Sequence, residues 1–226
     1  MNIFDQSLGQ LARTIPGATA VFHKYQLDFC CGGKQSLRSA ATKHSLDMNT
    51  LSAELEALGE SSSDEDWMQA TNQALIEHIL SRYHDVHRQQ LPELIRLSQR
   101  VELVHGGHSE CPSGLAHQLE QLQAELEQHM QKEEQILFPM ISRGITGMAV
   151  QPIAMMRHEH DEHGEALAVI EQITNGITLP KGACNTWRAL YLGLENFKAD
   201  LMEHIHLENN ILFDRIDGHL GSAHHG

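Results

Sequence analysis

Two ten-residue stretches of this chain, HMQKEEQILF at His129–Phe138 and HIHLENNILF at His204–Phe213, share the pattern His-x-x-x-Glu-x-x-Ile-Leu-Phe. Two shorter stretches, HDVH from His84 and HDEH from His160, share His-Asp-x-His. His160 follows His84 by 76 residues and His204 follows His129 by 75, so both patterns recur at nearly one offset. Such agreement describes a duplication: two helical hairpins, each bearing His-Asp-x-His and then His-x-x-x-Glu, related by a pseudo-two-fold axis. The spacing also requires helix. A four-residue step along an α-helix turns about 400°, so His129 with Glu133, and His204 with Glu208, project within about 40° of each other.

The surrounding sequence carries the same reading. From residue 69 to about 104, Ile76, Leu80, Tyr83, Leu91, Leu94 and Val101 recur at helical spacing, with Pro92 inside the run predicting a kink. A second helix is expected from Pro112 to Arg143, a third from Pro152 to before Gly176, and a fourth from Pro180 to Gly218. Proline at starts and glycine after ends is the asymmetry that helices favour. Four such helices with short connections predict an all-α chain with an up-down-up-down four-helix bundle over residues 69–217. Residues 1–59 form a small helical N-terminal domain punctuated by Pro16, Gly32-Gly33 and Gly59, with Asp47 as an N-cap. Residues 60–68, centred on the polar run GESSSDED, are the expected linker, and 218–226 a frayed tail.

Adding one histidine from each remaining helix, His84 and His160, to His129, Glu133, His204 and Glu208 gives four imidazoles and two carboxylates. Facing helices of a bundle converge their side chains on such sites. Nitrogen and oxygen ligands without thiolate suit iron first and manganese second, and disfavour copper(I) or an iron–sulfur cluster. Two symmetric carboxylates can bridge two ions roughly 3.5–4 Å apart. Four terminal histidines then leave open positions for oxygen, nitric oxide or water. Glu134 lies one residue too far round to join as a ligand. His87 and His163 are candidates for supporting contacts, and Asp85 and Asp161 for outer carboxylates that orient ligand histidines.

Histidines number 17, against 16 lysines and arginines together, which fits a metal protein. The net charge of −14 argues against a nucleic-acid partner, because phosphates would be repelled. No stretch is long and apolar enough for a membrane span, and the N-terminus lacks a signal-peptide layout, so the cytoplasm is the expected location. Four cysteines in 226 residues do not form a disulfide framework. Cys30 and Cys31 precede Gly32-Gly33 and a helical run expected from Lys34, a setting that should lower thiol pKa values and favour redox chemistry. Cys111 and Cys184 are read as incidental.

At these residues the chain resembles the YtfE/ScdA family of iron–sulfur cluster repair proteins, also called repair-of-iron-centres proteins. Phe22, Tyr25 and the run Asp28-Phe29-Cys30-Cys31-Gly32-Gly33 look like the family's short N-terminal domain, and the remainder looks like its haemerythrin-like bundle. The resemblance implies that His84, His129, Glu133, His160, His204 and Glu208 ligate two non-haem irons. It implies a cytoplasmic protein, compatible with a homodimer, that restores clusters damaged by oxidative and nitrosative stress, with damaged Fe–S proteins as partners. Oxygen-carrying haemerythrins, by contrast, place His-x-x-x-His and His-x-x-x-x-Asp on their third and fourth helices; this chain does not. Three functions follow as expectations: an iron-supplying repair protein first, then a di-iron nitric oxide reductase, then a module that binds or senses oxygen or nitric oxide.

Overall fold

The computed structural model describes residues 3–15, 17–58 and 67–217; Pro16, Gly59, most of the expected linker and the C-terminal tail lie outside the described residues. Contacts divide the chain into two compact units, one of Met1–Leu75 with Met202–Gly226 and one of Ile76–Leu201. Among the described residues the chain is helical, with a lone antiparallel bridge between Ser7 and Ser36.

In the first unit, α1 (Leu8–Thr14), α2 (Ala18–Lys24), α3 (Leu37–Lys43) and α4 (Met48–Leu58) are short. Helices this short are held by caps and by packing rather than by propensity. Ser7 accepts the Gln10 N–H and Ser36 the Ser39 N–H, each at 3.2 Å. Asp47 opens α4 by accepting the Thr50 N–H at 3.1 Å, and the bond from the Thr50 hydroxyl, then this backbone bond, lower the Asp47 pKa. The helix expected from Lys34 begins at Leu37, because Ser36 and not the glycine pair supplies the cap.

The second unit holds most of four helical runs, the first of which begins in the first unit with residues 72–75. The first combines α5 (Asn72–Ile79), a π-helical turn Leu80–His84 and α6 (Asp85–His105). The second combines α7 (Leu115–Lys132), a π turn Glu133–Leu137 and α8 (Phe138–Ser142). Next comes α9 (Thr146–Ile173), and then α10 (Asn185–Leu207), whose last residues and the following π turn Glu208–Leu212 belong to the first unit. Helix α7 packs on α6 and α9. A Cβ added at Gly193 would stand 2.8 Å from Leu94 Cδ2, so the Leu94 side chain packs directly over this glycine of α10. Arg82 and Gln90 both reach Asp200, at 2.7 Å each, and Lys198 pairs with Glu171. The interior is apolar, built on Leu94, Leu119, Leu126, Ile153 and Phe197.

Two expected helix starts move. Pro152 lies inside α9, which begins at Thr146 because Ala149 is buried and extends the helical face upstream. Helix α10 begins at Asn185, five residues after Pro180. Among the described residues, no helix is long and apolar enough to cross a membrane.

Candidate metal centre

In the second unit, four of the sequence-predicted ligands converge. His84 ends the first π turn, His129 lies in the last turn of α7, Glu133 begins the second π turn, and His160 sits in mid-α9. All four are buried. His84 Nε2 and His129 Nε2 each lie 3.4 Å from Glu133 Oε2, and His129 Nε2 lies 3.1 Å from His160 Nε2. Ligand atoms of His129, Glu133 and His160 fall within 4.8 Å of one another.

The outer nitrogens explain which way these rings present themselves. His84 Nδ1 lies 2.8 Å from Glu134 Oε1, and His129 Nδ1 lies 2.9 Å from Glu159 Oε2. A carboxylate accepts, so each Nδ1 donates, and the Nε2 lone pair is directed inward, as a metal ligand requires. Arg88 NH1 donates to Glu134 at 2.9 Å while its Nε and NH2 hold Glu127. Lys132 donates to Glu159 at 2.5 Å, and with the His129 bond as the larger cause this carboxyl is held at a pKa of about 2.

The outer carboxylates are therefore Glu134 and Glu159, and not Asp85 or Asp161. Both aspartates are exposed, since the residue after an inward histidine is turned about 100° toward solvent. Glu134 faces away from Glu133, as its spacing dictates, yet reaches a histidine on the neighbouring helix. His163 packs edge-on against His129 at 4.9 Å. His87 is buried, with Nδ1 3.2 Å from Gln90 Oε1 and its ring against Phe197. His158 is exposed and lies 3.6 Å from Glu162.

The remaining two predicted ligands pair in the first unit. His204 Nε2 and Glu208 Oε1 are 3.1 Å apart, both buried, with Glu208 beginning the third π turn. The π turns are a feature that sequence spacing missed. In each, the residue that follows donates its N–H five residues back: Asp85 to Leu80, Phe138 to Glu133, Phe213 to Glu208. Such insertions concentrate at functional sites.

The donor set fits iron. A fully buried carboxylate beside imidazoles whose Nε2 atoms converge to within 3.1 Å of each other is a set that a shared cation would reconcile. The chemistry is nitrogen and oxygen, without sulfur.

The first unit also holds the vicinal cysteines. Asn209 Nδ2 donates to Cys30 O at 3.4 Å, Asn210 Nδ2 to Phe29 O at 3.3 Å, and Phe29 packs edge-on against His206. Burial lowers the His206 pKa to about 3, and the Arg13 charge adds to the shift. Cys30 Sγ lies 3.8 Å from Cys31 Sγ and 3.4 Å from Asp28 Oδ1. The hydrogen bond to Cys31, then burial, then the Asp28 charge push the Cys30 thiol pKa well up. This reverses the lowering expected from a helix N-terminus, because α3 starts seven residues later.

Comparison with known proteins places these features in a wider setting. The haemerythrin HHE cation binding domain matches residues 75–216, and the ScdA_N domain, a domain of unknown function (DUF542), matches residues 4–59. The iron–sulfur cluster repair protein YtfE of Yersinia pseudotuberculosis is 56% identical over 216 residues, covering 95% of this chain and 98% of the relative. The protein of the same name from Yersinia pestis matches to the same extent, 56% over 216 residues and the same shares of each chain.

Proposed function

The chain belongs to the haemerythrin HHE cation-binding family and, with its YtfE relatives, to the iron–sulfur cluster repair proteins; on that premise we propose that it repairs damaged clusters by returning iron to them. His84, His129, Glu133, His160, His204 and Glu208 would hold two ions. Four neutral imidazoles with two carboxylates supply Lewis-acidic, redox-capable iron without thiolate ligands that would lock it in place. The observation that carries this reading is the pair of outer bonds, His84 to Glu134 and His129 to Glu159, which turn the Nε2 lone pairs inward.

Within this reading the chain's residues have distinct tasks. Glu133 and Glu208 neutralise charge where two cations would otherwise repel. Glu134 and Glu159 fix the tautomer and orientation of their histidines. Leu137 and Phe138, buried beside Glu133, keep bulk water from the ligands. Residues 69–217 would act as the metal-carrying bundle and 1–59 as the thiol-bearing domain, with Cys30 and Cys31 as the redox pair. The protein would work in the cytoplasm on damaged Fe–S proteins.

The test mixes iron-loaded protein with an Fe–S enzyme inactivated by oxidant or nitric oxide. Recovery of activity that depends on the loaded iron is expected. Absence of recovery would overturn the repair reading, and conversion of nitric oxide to nitrous oxide by the reduced protein would replace it with a reductase.

A further inference from the structure

Away from the metal centre, a thiol and a base are in contact. His105 closes α6, Cys184 stands immediately before α10, and His105 Nε2 lies 3.2 Å from Cys184 Sγ. The 21 residues of α6 separate His105 from His84 by about 30 Å, so this pair is not an extension of the metal ligands. We propose that Cys184 is a thiol-exchange site, with His105 as its base, that takes anionic low-molecular-weight disulfides as mixed disulfides.

Three features favour reaction over a merely packed sulfur. The imidazole is fixed: its ring lies 5.1 Å from that of Trp187, which is itself buried and packed on Tyr191. Such a base acts without first being oriented. Cys184 is half-buried as a residue, whereas Cys30 is buried. The surroundings favour an anion: Arg188 Nε donates to the carbonyl of Ala183, next door, and Cys184 stands at the N-terminus of the 23-residue α10.

The step balances. With a proton on Nδ1, His105 Nε2 accepts the Sγ–H proton as the sulfur attacks one sulfur of the incoming disulfide. A new S–S bond forms and the old one breaks. The departing thiolate leaves with the bonding pair and collects the proton from His105. Cys184 is oxidised to a mixed disulfide, and one half of the small disulfide is reduced to a thiol.

The experiment treats the full-length purified protein with glutathione disulfide and follows adducts on the Cys184 and Cys111 peptides by mass spectrometry. Both cysteines are half-buried, so exposure alone predicts equal rates. We expect Cys184 to react at least tenfold faster than Cys111. His105→Gln should slow Cys184 about tenfold while leaving the Cys111 rate and the iron content unchanged. Equal rates in the wild type would overturn the proposal whether or not the variant folds, as would an unchanged Cys184 rate in a variant with native circular dichroism. Neutral 2-hydroxyethyl disulfide should react more slowly than glutathione disulfide, and parity would overturn the anionic class.

Discussion

In the motif copy at His129–Phe138, the residue after the glutamate is Glu134, whose carboxylate orients His84 and is held by Arg88. In the copy at His204–Phe213 the same position is Asn209, whose amide donates to the carbonyl of Cys30. The next position is Gln135 in one and Asn210 in the other, and Asn210 reaches Phe29 O. The ligand-bearing side is the same in both copies. On the outer side, the first copy turns to charge and the second to the backbone of the cysteine loop. Burial follows that division: Ile136 is 53% exposed, and its counterpart Ile211 is 4% exposed. A duplication thus kept the positions that face the centre and let the remaining face take up whatever neighbour each copy met.

The comparison can be broken most forcefully at the shared positions. Glu133→Leu and Glu208→Leu should each remove most of the bound iron, measured by elemental analysis; retention by either would end the equivalence of the two copies. The apolar positions come next. Ile211→Ala should cost about 2–5 kcal/mol in denaturant unfolding, against about 0.5 kcal/mol or less for Ile136→Ala. Glu134→Gln should weaken iron binding about 10- to 100-fold in chelator competition, leaving the accessibility of Cys30 unchanged. Asn210→Ala should do the reverse, speeding alkylation of Cys30 with iron content intact, at a stability cost of about 1 kcal/mol.

Much of the centre was legible because its determinants are local. A four-residue step along a helix selects His129 with Glu133 and His204 with Glu208 without knowledge of the fold. The duplication then nominates His84 and His160, and the structure brings both to Glu133 or His129. The outer carboxylates were not legible, because whether Glu134 meets His84 depends on the register of one helix against another. Cys30 was misjudged for a similar reason. The sequence shows glycines ahead of a helical run, but the cysteine loop is held through its Cys30 carbonyl by Asn209 and Asn210, about 180 residues away, and its thiol is buried beside Asp28 and Cys31. Pro152 misled differently. Proline favours a helix start, yet burial of Ala149 carried α9 upstream past it.

The π turns change how the tail of each motif is to be counted. Along an uninterrupted α-helix, nine residues past His129 correspond to about 900°, which would put Phe138 on the far side of the helix from the imidazole. One inserted residue sets everything downstream back by about 100°, to within about 80° of the histidine's direction. The Phe138 ring accordingly stacks on His84, with centroids 5.8 Å apart and planes at 30°. Glu133 and Glu208 both mark the step at which a helix slips its winding, and in the first copy that slip brings Phe138 round as a lid on His84.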